Sequence, residues 1–271
     1  MTKIMAADRA AAKTGVETDW SRLRAPQLRE LASKDAVVIV PIGSTEQHGP
    51  HLPTQVDCLL VGEVARRAAA RAYATIPTLV TPTIWSGLAE HHMSLGATLS
   101  VDFQTFFALV RGICRSLERH GFRNVLLLNG HGGNIAALTV AVNELAVELD
   151  APIATATYFI LAQQEIANIL ETQKQVRHAC EAETSMVLAL APELVDMSLV
   201  EAAVGPTSRE VPEVTGTEAS IRWRSFKSRT SHGAIGDPRT ASAAKGEQLL
   251  DAAADAVVRL VTNKEFWTLP A

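Results

Sequence analysis

The stretch that decides the fold is Ala36-Val-Val-Ile-Val-Pro-Ile42, followed at once by Gly43-Ser-Thr-Glu46-Gln-His48-Gly-Pro-His51-Leu-Pro-Thr-Gln-Val-Asp57. The apolar run is short, β-branched and continuous rather than alternating, which predicts a strand buried on both faces. Similar runs at 74–80, 124–128 and 152–158 predict three more strands. Between them 57–72, 103–120 and 134–148 read as helices, and two later helices are expected near 181–190 and 240–262. Strand alternating with helix implies right-handed crossovers and a mostly parallel sheet covered on both sides. The expected fold is therefore α/β, a three-layer α/β/α sandwich.

In such a sheet the ligand crevice lies beyond the carboxyl ends of the strands. After the first strand comes the loop quoted above, after the second Trp85-Ser-Gly-Leu-Ala-Glu90-His91-His92, after the third Asn129-Gly-His131-Gly-Gly-Asn134. These loops hold His48, His51, His91, His92 and His131, most of the eight histidines in the chain. Glu46 and His48 are two apart, so on an extended segment they point the same way. Asp57 follows near a helix start, where its carboxylate could also cap the first turn. Imidazole with two carboxylates suits Zn, Mn or Fe better than Ca or Mg. Alone, this loop also reads as a solvated segment with a helix cap.

The third loop favours a metal ligand at His131 over a phosphate cradle, because neither Lys nor Arg accompanies its glycines. Gly132 and Gly133 expose backbone N–H groups at a helix start, suited to an anion or a developing oxyanion. Ser86, Glu90, His91 and His92 could orient substrate or hold ligand imidazoles from behind. They read equally well as an ordinary polar loop. A fourth element, His178-Ala-Cys-Glu181-Ala-Glu183-Thr-Ser185, opens a helix. His178 is expected in the loop, Glu183 in the first turn facing the crevice, and Glu181 on the surface. By themselves these residues fit a capped helix with a charged first turn. Cys180 could pair with His178 as a nucleophile, but a small buried residue is the better reading.

Composition narrows the classes. The 271 residues are 47% hydrophobic and 20% charged, which excludes disorder and coiled coil. A net charge of −4 supplies no basic excess, so neither nucleic acid nor membrane is an expected partner. Three cysteines argue against a disulfide framework. The first residues carry no continuous apolar signal region and no stretch is long enough to span a bilayer, so a cytoplasmic location is expected. Residues 1–271 read as a single domain, with a weakly periodic N-terminal arm over 1–30 and a surface excursion over 200–232.

Together, residues 42–57, Asn129–Asn134 and the His178…Glu183-Thr-Ser185 element resemble the creatininase (creatinine amidohydrolase) family. His92-Met-Ser-Leu-Gly-Ala-Thr98 and Gly233-Ala-Ile-Gly-Asp-Pro-Arg239 are similar to two further segments of that family. The resemblance implies a creatininase-like domain, usually a hexamer, with two divalent metals at the strand ends. By position Glu46, His48, Asp57 and His131 match metal ligands, with Asp57 bridging both ions, and His178 matches an acid–base histidine. Creatininase proper carries a second acid where this chain has Gly133, and Glu183 is the expected replacement. That family also closes tryptophans over creatinine from a loop before the His178 position. The corresponding stretch, 160–176, has none. Relatives of the Gly-Gly type include formamide deformylases and peptide-cleaving maturation enzymes.

The expected activity is thus hydrolysis of a small cyclic or linear amide through a metal-bridging hydroxide, with His178 and Glu183 as the catalytic pair. A metal-dependent isomerase or lyase on the same framework, and a non-catalytic metal or ligand binder, are the alternatives. The presence of all five ligands and His178 disfavours the binder.

Overall fold

The computed structural model describes residues 15–206 and 222–268. In chain order the regular elements are α1 (Ala25–Ala32), β1 (Val37–Ile42), α2 (Val56–Ala72), β2 (Thr78–Val80), α3 (Phe103–Arg119), β3 (Val125–Asn129), α4 (Ile135–Leu149), β4 (Ile153–Thr157), α5 (Tyr158–Leu161), α6 (Gln163–Ile169), α7 (Glu181–Leu190) and α8 (Ala243–Val261). Short 3₁₀ turns join them.

Among the described residues the sheet has four strands, all parallel, in the order β2-β1-β3-β4. Alternate residues of one strand feed opposite cores. Val37 and Ile39 of β1, with Leu126 and Leu128 of β3, pack against α2, α7 and α8. Val38, Val40 and Ile42, with Val125 and Leu127, pack against α1, α3 and α4. Burying each such side chain contributes about 1.5–3 kcal/mol relative to exposure, which explains why the strands read as unbroken apolar runs. The result is the expected α/β/α layering. Among the described residues no helix is long and apolar enough to cross a membrane.

Pro41 lies inside a central strand, where its missing N–H should cost a ladder bond. Val37 N donates to Pro77 and Val38 N to Asn124, so odd positions of β1 face β2. Strand β2 stops at Val80, opposite Ile39, before it could use an N–H at position 41. Hence Pro41 leaves no partner unsatisfied.

The chain leaves β1 for β2 on one side and returns to place β3 on the other. The carboxyl ends of β1 and β3 therefore flank a topological switch point, the place where ligands bind in open α/β sheets.

Two expectations need correction. Residues 15–30 do not form a free arm: Val80 N donates to Thr18 O and the Trp20 ring packs 5.1 Å from Phe122. The excursion expected over 200–232 folds back in part, burying Val200, Ala203, Phe226 and Thr230. Phe226 has the apolar bulk to leave water, and the polar residues around it hid that from a reading of composition. Residues 1–14 and 207–221 lie outside the described residues. The stretch 160–176 is largely the end of α5 and all of α6, whose Ile166, with the neighbouring Ala162 and Leu170, sits in the core beside α8.

Candidate metal centre

Each candidate ligand is placed by an element end at the switch point. Glu46 and His48 leave the end of β1, and the Glu46 N–H donates to Thr54 O at 3.0 Å, closing the loop. Asp57 is in the first turn of α2 and Glu183 in the first turn of α7, where helix N-termini favour negative charge. Asp57 does not cap its helix, as its sequence position allowed; the cap residue is Gln55 and the carboxylate turns inward. His131 follows β3, with Asn129 bracketing it: Asn129 Oδ1 accepts from His131 N and Asn129 Nδ2 donates to His131 O.

Ligand atoms of Glu46, Asp57 and His131 lie within 4.8 Å of one another, as do those of His48, Asp57 and Glu183, and those of Glu46, His48 and His178. The two oxygens of Asp57 divide between histidines. Oδ1 lies 3.3 Å from His48 Nε2 and Oδ2 lies 3.1 Å from His131 Nδ1. Glu46 Oε2 is also 3.1 Å from His131 Nδ1.

The surrounding bonds fix which nitrogen of each ring is free. His48 Nδ1 donates to Glu46 O at 3.1 Å, leaving its Nε2 lone pair towards Asp57 and Glu183. His131 Nε2 donates to Leu88 O, leaving Nδ1 between Glu46 and Asp57. His178 Nε2 donates to Gln47 O at 2.7 Å, leaving Nδ1 3.6 Å from Glu46 Oε1. His92 is reversed. Its Nδ1 accepts from Gln47 Nε2 at 2.8 Å, so its Nε2 carries the hydrogen and faces Glu46 Oε1 at 3.2 Å. His92 thus holds a ligand carboxylate rather than presenting a lone pair.

The donor set fits a cation. Glu46, Asp57 and Glu183 are 1%, 3% and 6% exposed, and among the described residues their ion-pair partners are all histidines. Glu46 Oε2, His48 Nε2 and Asp57 Oδ2 are buried without a hydrogen bond, although they converge. Lone pairs opposed at about 3 Å need a proton or a cation between them. The electrostatics of the site carry the same stress. Burial pushes the Glu183 carboxyl up to about 8 against the pull of His48, with Asp57 and Glu46 adding to the rise. Burial lowers the His48 imidazole, but Asp57, Glu183 and Glu46 outweigh it and hold it at about 9. Asp57 is held low because His48 and His131 overcome its burial. Burial and His48 hold His178 well below its ordinary value.

The other sequence candidates divide. His91 stacks on His131 at 5.7 Å and touches no ligand oxygen. Glu90 is exposed on the second loop. Ser86 Oγ donates to Leu99 O at 2.9 Å and ties down the second loop instead of facing the ligands. Gly132 is exposed and open. Gly133 cannot carry a side chain, since a Cβ would run into Leu88 O and the His131 ring. Glu181, expected on the surface, is fully buried; it accepts from Glu171 N, Thr172 N and Lys245 Nζ. His51 Nε2 pairs with Thr184 Oγ1 at 2.8 Å and pins the first loop to α7. Cys180 caps α7, and burial with Glu183 pushes its thiol up to about 12, which removes the thiolate a nucleophile needs.

Reading the sequence missed Gln47, Asn134, Ala179 and Phe226. Gln47 Oε1 accepts from Gly49 N, and its amide donates to His92 and Gly233 O. Gly233 takes φ of +91°, and a Cβ there would collide with the Gln47 amide. Asn134 ties the third loop to the other two through Leu88 N and Gly43 O. Ala179 takes φ of +55°, a conformation costing an L residue about 1–2 kcal/mol, and its N–H holds Glu183 Oε2 at 2.5 Å. Phe226 lies over His92 and His178, at 4.1 and 4.7 Å between ring centres. The place of Gln47 between two ligands was a usable signal; nothing local marked Phe226.

A family model described as creatininase, creatinine amidohydrolase, matches residues 21–261. The chain belongs to that family and is a hydrolase. It is 32% identical over 242 residues to the mycofactocin precursor peptide peptidase of Mycobacterium tuberculosis, covering 86% of this chain and 88% of that protein. It is 30% identical over 252 residues to the creatinine amidohydrolase of Pseudomonas putida, covering 87% and 90%. A mutant creatininase of the Zn–Zn type superposes with a TM-score of 0.74 at 26% identity, covering 93% of this chain and 99% of that one.

Proposed function

We propose that the chain is a dinuclear metal-dependent amidohydrolase that splits the C–N bond of a small cyclic or linear amide. The observation that carries this reading is Asp57, whose two oxygens face different histidines in two adjoining ligand groups. Glu46, Asp57 and His131 would hold one divalent ion, and His48, Asp57 and Glu183 the other. Glu183 then supplies the acid for which Gly133 has no room. Histidine with carboxylate suits Zn, Mn or Fe. Bound ions supply Lewis-acid activation of water and of the amide carbonyl.

The chain's own residues account for the proton. His178 is the most exposed of the converging imidazoles, with 12% of its side chain open, and its free Nδ1 faces Glu46. Its Nδ1 takes a proton from the attacking water as the C–O bond forms. It returns that proton to nitrogen as the C–N bond breaks, so amide plus water gives acid plus amine. Gln47 O fixes the ring through Nε2, and Phe226 shields its face from solvent.

Small lactams, hydantoins and formamides, screened with metal-loaded enzyme, test the reading. The product should gain the mass of one water, and His178→Ala should keep its metal while losing turnover. A processed substrate whose mass is unchanged would replace the hydrolase with an isomerase. The homo-oligomer implied by the family resemblance, a hexamer, belongs to the same proposal and is read by light scattering.

A further inference from the structure

The segment that closes over the candidate centre also brings a cation. Phe226 begins a single 3₁₀ turn, and Arg229 N donates to Phe226 O at 2.8 Å, which sets the guanidinium beside the ring. The Arg229 Cζ lies 5.8 Å from the Phe226 ring centre, and the same ring covers His92 and His178. Arg229 is half-buried, yet among the described residues no carboxylate pairs with it. By contrast Arg66, Arg67, Arg71, Arg111, Arg239 and Arg259 each hold an acid. Further positive charge stands nearby. Burial, with Arg224 beside it, pulls the Arg229 guanidinium down. In a chain of net charge −4, a half-buried guanidinium without an acid is out of keeping unless something anionic arrives. A guanidinium presents a planar fork that matches carboxylate or phosphate oxygens.

We propose that Arg229, seated on Phe226 above His92 and His178, binds an anionic group of the substrate. The amide acted on would then carry a carboxylate or phosphate several bonds from the scissile C–N bond. The inference rests on the hydrolase reading for its placement of the amide, and it adds the substrate's charge.

The test uses the metal-loaded full chain with N-formyl ω-amino acids of two to six carbons, their neutral carboxamides, and the matching N-formyl aminoalkylphosphonates. Calorimetry gives the dissociation constants and amine release gives turnover. At one chain length an anionic probe should bind at least about tenfold tighter than its carboxamide, the scale of a charged hydrogen bond. Arg229→Gln should abolish that preference while leaving carboxamide binding and metal content unchanged, and Arg229→Lys should keep part of it. Tighter binding of either the carboxylate or the phosphonate series supports the proposal and identifies the group. Equal binding of charged and neutral probes at every length, no binding of any probe, or a preference that survives Arg229→Gln overturns it. Amine release without charge preference would end this proposal and leave the hydrolase standing. Charge-selective binding without amine release would keep the anion site at Arg229 and end the reading of these N-formyl amides as substrates.

Discussion

Two regions of this molecule gather charge, and they solve the problem differently. Between α2 and α8, Glu63 accepts from Arg66 and Arg67 at 2.7 Å, Arg67 reaches Glu247 and Asp251 at 2.8 Å, and Arg71 reaches Asp251 and Asp255. Acids and guanidinium groups alternate there, so the lattice is neutralised from within. At the carboxyl end of the sheet three carboxylates, more deeply buried than Glu63, have only histidines as ion-pair partners among the described residues, and three of those four rings turn a lone pair inward. The lattice pairs acids with guanidinium groups of its own and holds two helices together. The sheet end lacks such internal cations among the described residues, and burial there raises rather than relieves the cost.

The largest expected effect tests that contrast directly. Asp57→Ala should strip the chain of both divalent ions, measured by elemental analysis, and lower turnover by more than about 100-fold, beyond the cost of losing an outer partner. Arg67→Met in the lattice should leave metal content and turnover unchanged. Equal metal loss in both variants would mean that the folded scaffold, not the ligand set, governs loading.

A smaller effect is expected at Gln47, which touches no ligand carboxylate itself but orders two rings that do. Gln47→Leu should cost about 10–100-fold in turnover while most metal is retained, since an outer partner acts through ring orientation. Gln47→Glu should be nearly as damaging despite its shape. A carboxylate at that position would accept a hydrogen from His92 Nδ1, leaving His92 Nε2 without one for Glu46. If Glu restores activity, Gln47 merely fills space.

How much of this was legible depends on distance along the chain. The strands were readable because both faces of each are buried, so apolar runs are unbroken at Val37–Ile42 and Val125–Asn129. Strand β2 fell short of its expected start because Pro77 precedes it and helix-to-turn residues occupy 73–76. Glu46, His48, Asp57, His131 and Glu183 were readable because they follow strand ends or open helices, and the fold then brings them together. What could not be read was burial imposed from afar. Phe226 sits in a polar stretch and is buried by Ile235 and Leu95. Glu181 looked like a surface acid until Lys245, 64 residues on, was placed against it. No local pattern encodes such contacts.

The smallest predicted effect is one of sign, and it separates the two charged regions without any substrate. In the metal-free chain Glu63→Gln should destabilise by about 1.5–3 kcal/mol at neutral pH, because it weakens bonds to charged arginines that hold α2. Glu183→Gln should stabilise the same metal-free chain. Burial holds the folded Glu183 pKa at about 8, above its ordinary value of 4.5. Between those two values the native state binds a proton that the unfolded chain has lost, so stability falls as pH rises through that window. His48, at about 9 against 6.5, extends the same fall upwards. Gln mimics the protonated acid, so the gain from Glu183→Gln should be absent near pH 4, grow from about pH 4.5 to 8, and be complete above that. Urea midpoints at fixed slope, taken across the pH range, measure it. Zinc should remove the gain, because the ionised carboxylate then has its cation and metal binding itself releases protons. A metal-free Glu183→Gln variant less stable than the parent at pH 8 would mean the sheet end, like the lattice, is neutral within itself.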